Sequence, residues 1–325
     1  MKLRSFLGFS LPSVAMMLLL LALPMLMTAW LSVRNCALDM RLVTVVQTGP
    51  FGATDVTTQR ARVDEAGRPV EVCSFVGADY YRKVLGLDAP AGATGNDQNE
   101  FFGALRFTLL YVAATTPFVL AGGLALALAM NRVTQRLKGV FIAASLLPFI
   151  ITPLVGALAI KWMFRDNGLV PHLLSGMGIE IFWMGQAWSA QLLVVLYGVW
   201  HTVPFAFIVF YAGLQGVPQD ALESATLDGA SAWQKLRYVT LPHLAPLVVF
   251  VSLIHVMDAY RVFEPVVVLT QGAFTTSVQY LTYHVLLQED NPYKASAAAV
   301  LTIVGIAVLL IPLLRKTWRE QRHGV

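Results

Sequence analysis

Charge is scarce in this chain. Only 13% of its 325 residues are Asp, Glu, Lys or Arg, against 57% hydrophobic, and mean hydropathy is +0.64. A soluble globular domain carries about 25% charged residues, so composition excludes that class. Several chemical signatures are absent as well. No GxxxxGK[ST] run offers a phosphate-cradling loop, and the six histidines form no HExxH or similar spacing, so no metal site is expected. No GxSxG marks a nucleophile, which leaves an intramembrane hydrolase without its constellation. There is no low-complexity linker and no tandem repeat.

Long apolar runs are what the chain does have. A helix needs roughly 20 apolar residues to cross a hydrocarbon core of about 30 Å, because lipid cannot satisfy free backbone groups. Six runs qualify, near 11–33, 102–130, 140–164, 190–213, 242–269 and 295–314, which makes the chain an all-α integral membrane protein. Lys2 and Arg4 before the first run suggest a signal peptide. The run is too long for an ordinary cleaved segment and lacks a clear small-x-small cleavage site, so it reads as an uncleaved span.

Basic residues set the expected orientation. One set of short segments holds Lys2, Arg4, Arg132, Arg136, Lys138, Lys235, Arg237, Arg315, Lys316, Arg319 and Arg322, against Asp220, Glu223, Asp228 and Glu320. By the positive-inside rule these segments, with both termini, face the cytosol. The basic balance is thereby explained without nucleic-acid binding.

The domain reading is 1–33 for the N-terminus and first span, 34–101 for an outer loop, 102–316 for a core of five spans and 317–325 for a cytosolic tail. The outer loop is mixed in charge and carries GPFGA and DAPAGATG; its stretches RLVTVVQTG and RPVEVCSFV are candidates for a hairpin. Both cysteines, Cys36 and Cys73, fall here. An outward loop permits a disulfide between them, and two separate thiols are the alternative. Between spans three and four, GLVPHLLSGMGIEIFW is too polar to cross and is expected along the outer interface, with Trp183 and Trp188 at headgroup level.

The most specific signal is the polar segment LESATLDGASAWQKLRYVTLP, 222–242. Pro218 and the helix formers of 219–227 start a short helix. Gly229 then serves either a positive-φ turn or a close backbone approach, and Ser231 can cap a second helix. Glu223, Ser224, Ala225, Asp228, Gly229, Ala230 and the Leu241-Pro242 pair resemble the EAA loop of binding-protein-dependent ABC importer permeases, with Ser224 in place of the first Ala. TLLYV from Thr108, LALALAMN ending at Asn131, LLPFIITPLV from Leu146 and VFEPVVVLTQGAFTTS from Val262 resemble the carbohydrate-uptake branch, close to maltose and glycerol-phosphate permeases.

The resemblance implies a six-span type I importer permease whose loop 217–242 is a coupling helix, with Glu223, Ala225, Leu227 and Ala230 contacting an ATPase subunit. It also implies a second, related permease, two ATPase copies that carry ATP and Mg, an extracytoplasmic sugar-binding protein and a sugar or polyol substrate. The chain itself then binds no cofactor, is no enzyme, and sits as a multi-pass protein in a bacterial inner membrane.

Charges inside spans are expensive. Besides Lys161, Asp258, Arg261 and Glu264 stand out, spaced to share one broad helical face. They either pair internally or line the translocation path, where Tyr260 and Arg261 meet sugar hydroxyls. Trp200, His201, Tyr211, His255, Gln279, Tyr280 and Tyr283 are further candidates. The rival reading is an ion-coupled secondary transporter that uses Asp258, Arg261 and Glu264, and a membrane assembly factor is a third. Prolines 117, 148, 153, 204, 246 and 265 can kink spans, and Pro148 with Pro153 makes the third the expected bent one.

Overall fold

The computed structural model describes residues 3–49, 52–64, 67–87 and 100–323. Lys2, Pro50 and Phe51 of GPFGA, and all of DAPAGATG lie outside the described residues. The chain forms two compact units, Met1–Gln98 with Val285–Val300, and Asn99–His284 with Leu301–Val325.

In the first unit, α1 (Leu3–Leu31) contains the expected first span. Its Ser10–Leu31 stretch is long and apolar enough to cross, and none of it is buried against the chain. Four strands follow: β1 (Arg34–Leu38), β2 (Met40–Gly49), β3 (Gly52–Ala61) and β4 (Glu71–Phe75).

The two extended stretches anticipated as one hairpin do not pair with each other. β2 folds back antiparallel on β3, with Gly49 opposite Gly52, whereas β1 pairs with β4. A short connection between neighbouring strands costs less chain entropy to close than one bridging the residues between 49 and 68. Cys36 stands opposite Cys73 in the β1–β4 ladder, and the two are disulfide-bonded. Helix α2 (Asp79–Val84) is tied to the end of α1 by a Ser32–Tyr81 hydroxyl hydrogen bond of 2.7 Å. Its Tyr80 stacks on Tyr293 at 6.2 Å.

The second unit begins with α3 (Glu100–Met130), α4 (Gln135–Ile150), α5 (Pro153–Phe164), α6 (Leu169–Ser175) and α7 (Ala187–Gln215). It continues with α8 (Gln219–Leu227), α9 (Ala232–Lys235) and α10 (Leu241–Tyr260). Helix α11 (Val278–Leu287) and α12 (Pro292–His323) follow, with Val285–Val300 counted in the first unit. The core lies where α3, α7 and α10 meet, around Val119, Ala206, Phe207, Phe210, Leu244 and Val251. Gly123 makes this approach possible. A Cβ there would come within 2.5 Å of the Ala206 Cβ and 2.9 Å of backbone, so α3 can lie against α7 only where a side chain is missing.

Five helical stretches are long and apolar enough to span: Ser10–Leu31, Glu100–Met130, Ala187–Gln215, Ala232–Tyr260 and Pro292–Arg315. A sixth is reached if a sharply bent helix pair counts as one span. Gln135–Ile150 and Pro153–Ser175 meet at 93°, at the position Pro148 and Pro153 suggested. Pro153 offers no N–H to the preceding turn and holds Thr152 extended (φ −57°, ψ 140°), so the helix stops and restarts with Pro153 in its first turn.

Trp183 departs from its expected interfacial place. It is buried, packed edge-on against Phe164 at 4.9 Å, while Trp188 remains exposed.

Candidate functional site

Two constructions stand out in the second unit, a polar knob between α7 and α10 and a cavity beside the far end of α10. In the knob, α8 starts after Pro218 with Asp220 in its first turn, where the positive end of the helix dipole favours a carboxylate. Its C-terminus closes by a Schellman motif. The Ala230 N–H donates to Ala225 O (2.9 Å) and the Gly229 N–H to Thr226 O (3.1 Å), with Gly229 at φ +75°. A Cβ on Gly229 would meet nothing within 4 Å, so the positive φ is the reason for glycine here and crowding is not.

The next helix starts on a full capping box. Ser231 Oγ accepts from Gln234 N (3.3 Å), and Gln234 Oε1 accepts from Ser231 N (2.7 Å). Lys235 Nζ donates to Thr226 Oγ1 (3.2 Å), linking the two short helices.

Burial divides the knob into a root and a tip. Leu222 and Val239 pack against the main core. Leu227, Trp233 and Tyr238 are 89%, 65% and 71% exposed. Glu223, Ser224, Asp228 and Gly229 are also exposed, and Ala225 and Ala230 half-buried. Trp233 and Tyr238 were missed from sequence, although large aromatics within an otherwise polar loop are themselves a signal of a contact surface. From Ala232, α9 runs through a π-helical stretch, Leu236–Thr240, into α10 past Pro242, one rod reaching Tyr260.

At the other end of that rod the expected span 242–269 stops short. Helix α10 ends at Tyr260, and a new π-helical stretch covers Val266–Thr270. Pro265 explains the gap. It has no N–H for the carbonyl of Arg261, four residues back, and its ring would strike that carbonyl. Within the gap, Val262 O accepts from Ser277 Oγ (2.6 Å), which satisfies that carbonyl within the fold.

A cavity of about 390 Å³ lies against this break, lined by residues including Tyr111, Tyr197, His201, His255, Asp258, Arg261, Glu264 and Gln279. Asp258, Arg261 and Glu264 therefore converge, but through the interruption and not on one continuous helical face. Arg261 pairs with Asp258 at 3.4 Å, with both side chains more than half exposed. Glu264 has no ion pair among the described residues.

Tyr260 does not line this cavity. It is 1% exposed, and its hydroxyl occupies the space a Cβ on Gly305 would need. Trp200 is turned away too, resting over Gly156 and beside Tyr197. His255 and Gln279, named from sequence only as polar candidates, do line it. Tyr197 Oη donates to Pro153 O (2.7 Å) and His201 Nδ1 to Pro148 O (2.8 Å), so two side chains one turn apart on α7 satisfy carbonyls on either side of the third-span break. Among the described residues no cluster of His, Cys, Asp and Glu could hold a metal ion.

A bundle of membrane-spanning helices with a helix-turn-helix knob on one span and a polar cavity at the break in that span has the architecture of a transport subunit. Residues 89–322 match the family described as "Binding-protein-dependent transport system inner membrane component", and the chain belongs to it. It is similar to the "Trehalose/maltose transport system permease protein MalF" of Thermococcus litoralis, 32% identical over 248 residues, 74% of this chain and 79% of that protein. The "Arabinooligosaccharides transport system permease protein AraP" of Halalkalibacterium halodurans is 29% identical over 253 residues, 75% and 76% of the two chains. The fold is similar to a chain of the "bacterial alginate ABC transporter in complex with alginate pentasaccharide-bound periplasmic protein", with TM-score 0.64 and 24% identity over 75% of this chain and 83% of that one. The family match begins after the disulfide-linked strands.

Proposed function

We propose that this chain is one transmembrane half of an ATP-driven importer of a carbohydrate or polyol, and that its knob transmits work from an ATPase. The observation that carries the reading is the knob itself, a doubly capped corner with an apolar exposed tip, rooted in the core and continuous with α10. The 29 residues of Ala232–Tyr260 make a lever roughly 43 Å long at 1.5 Å per residue. A displacement at the tip is delivered to Asp258 and the break, where the cavity is.

In this scheme ATP and Mg sit on two partner ATPase subunits, and closure of that pair moves the knob. A second permease completes the pathway, and an extracytoplasmic binding protein delivers the solute. The termini and knob face the cytosol of a bacterial cell, the orientation that the Lys and Arg positions favour. The relatives named above handle different sugars at similar identity, so the family supports the class of solute and leaves the sugar open. The ion-coupled alternative gives the knob no task.

The test is co-purification. Detergent-solubilised wild-type protein is compared with a Glu223→Lys/Gly229→Val double variant, and retained chains are identified by mass. Wild type is expected to hold an ATPase that the double variant loses. A stable, monodisperse wild-type protein with no ATPase would overturn the reading.

A further inference from the structure

The hydrogen-bond network around the cavity bears on which polar atoms it presents. Thr115 Oγ1 lies 2.8 Å from Tyr111 O and 3.0 Å from His255 Nε2, and the direction of the second bond follows the imidazole tautomer. His255 Nδ1 is buried with no hydrogen-bond partner among the described residues, on a residue 3% exposed in the cavity wall. His201 is better defined, because its partner is a carbonyl oxygen that can only accept. Its Nδ1 donates to Pro148 O, which leaves Nε2 as the acceptor of the neutral ring.

The charges lean the same way. Asp258 and Arg261 cancel as a pair, and Glu264, on the same wall, has no cationic partner among the described residues. This wall therefore carries one surplus negative charge.

We propose that the cavity is selective against anions and takes a hydroxyl-rich solute without carboxylate or phosphate, with Glu264 as the residue that sets the selection. Solute hydroxyls can donate to the Glu264 carboxylate and to the free ring nitrogen of His201, both in the cavity lining. An anion would meet Glu264 in a concave site where fields are focused. The inference rests on the reading that the cavity belongs to the solute pathway.

The test needs no knowledge of the solute. Cys36 and Cys73 are bonded and no free cysteine is present, so Thr202→Cys places a unique thiol in the cavity wall. The full chain in detergent is reacted with cationic, neutral and anionic methanethiosulfonate reagents, each rate divided by that of a small thiol in solution. The cationic reagent is expected to outpace the anionic one by about tenfold, the lower end of what focusing in a charged cleft produces. Glu264→Gln should bring the ratio to within about twofold, and Glu264→Asp should keep the preference.

Equal normalised rates in the Glu264 protein, or a preference unchanged by Glu264→Gln, would overturn the selection and leave the importer reading standing. A thiol unreactive to all three reagents would overturn the cavity as a pathway, and the selection with it.

Discussion

Gly229 concentrates the logic of the knob in one residue. Its φ of +75° is paired with open space around the missing Cβ, so conformational strain and crowding are separable there. A left-handed conformation costs an ordinary L-residue about 1–2 kcal/mol, less for Asn and more for a β-branched side chain. Coupling between ATP hydrolysis and uptake in the reconstituted importer should therefore fall in the order Asn, Ala, Val at position 229, with Asn close to wild type. Equal loss for all three would mean that the requirement is for empty space, contrary to the observed surroundings. Ser231→Ala acts on the neighbouring corner. Removing its half of the capping box is expected to cost about 1 kcal/mol of local helix stability, read as faster amide exchange over 231–236 with α3 and α7 unchanged. Unaltered exchange there would show that the Lys235–Thr226 bond and the packing of Val239 hold the corner without the cap.

Elements were legible in proportion to how locally their causes are written. Span lengths follow from apolar runs, and the bend in the third span follows from Pro148 and Pro153, since a missing N–H and a clashing ring act within one turn. The break after Tyr260 was written just as locally, in Pro265, but the surrounding VFEPVVVL run is apolar enough to read as uninterrupted helix. Strand pairing was less legible. β3, GATDVTTQRA, is polar and weakly alternating, so its claim on β2 comes from adjacency and the short connection between Gly49 and Gly52 and not from a hydrophobic face. At the site, Glu223 and Gly229 were marked by spacing. The exclusion of Tyr260 and Trp200 from the cavity depends on helix rotation, which an all-round apolar span does not encode. The α3–α7 contact belongs to this scale as well. Gly123→Ala is expected to destabilise the bundle by about 1–3 kcal/mol, seen as an earlier thermal transition in detergent. Adding Ala206→Gly should recover only part of it, because backbone at 2.9 Å also meets the new Cβ. Full recovery would place the clash in the side chain alone, and no loss would mean that the helices are free to part.

At the scale of the molecule, the chain joins a family permease to an accessory piece with its own construction. The family match starts at residue 89, and the strands before it hold together by local ladders, the Cys36–Cys73 bond and the Ser32–Tyr81 contact. That bond closes a loop of 37 residues, for which the chain-entropy treatment gives about 4 kcal/mol relative to the reduced unfolded loop. A two-stranded ladder is marginal by itself in water, so β1 and β4 depend on the bond far more than the bundle does. Reduction, or a Cys36→Ser/Cys73→Ser variant, should raise amide exchange across 34–38 and 71–75 sharply. Exchange in α3, α7 and α10, and retention of the ATPase, should stay as in wild type, because the core of Val119, Phe207 and Leu244 and the root of the knob lie in the other unit. If the reduced protein loses its ATPase together with the strands, the accessory unit is a structural prerequisite of the permease. If it loses only the strands, the unit is a separable addition, and its task has to be sought on the side of the membrane where a disulfide survives.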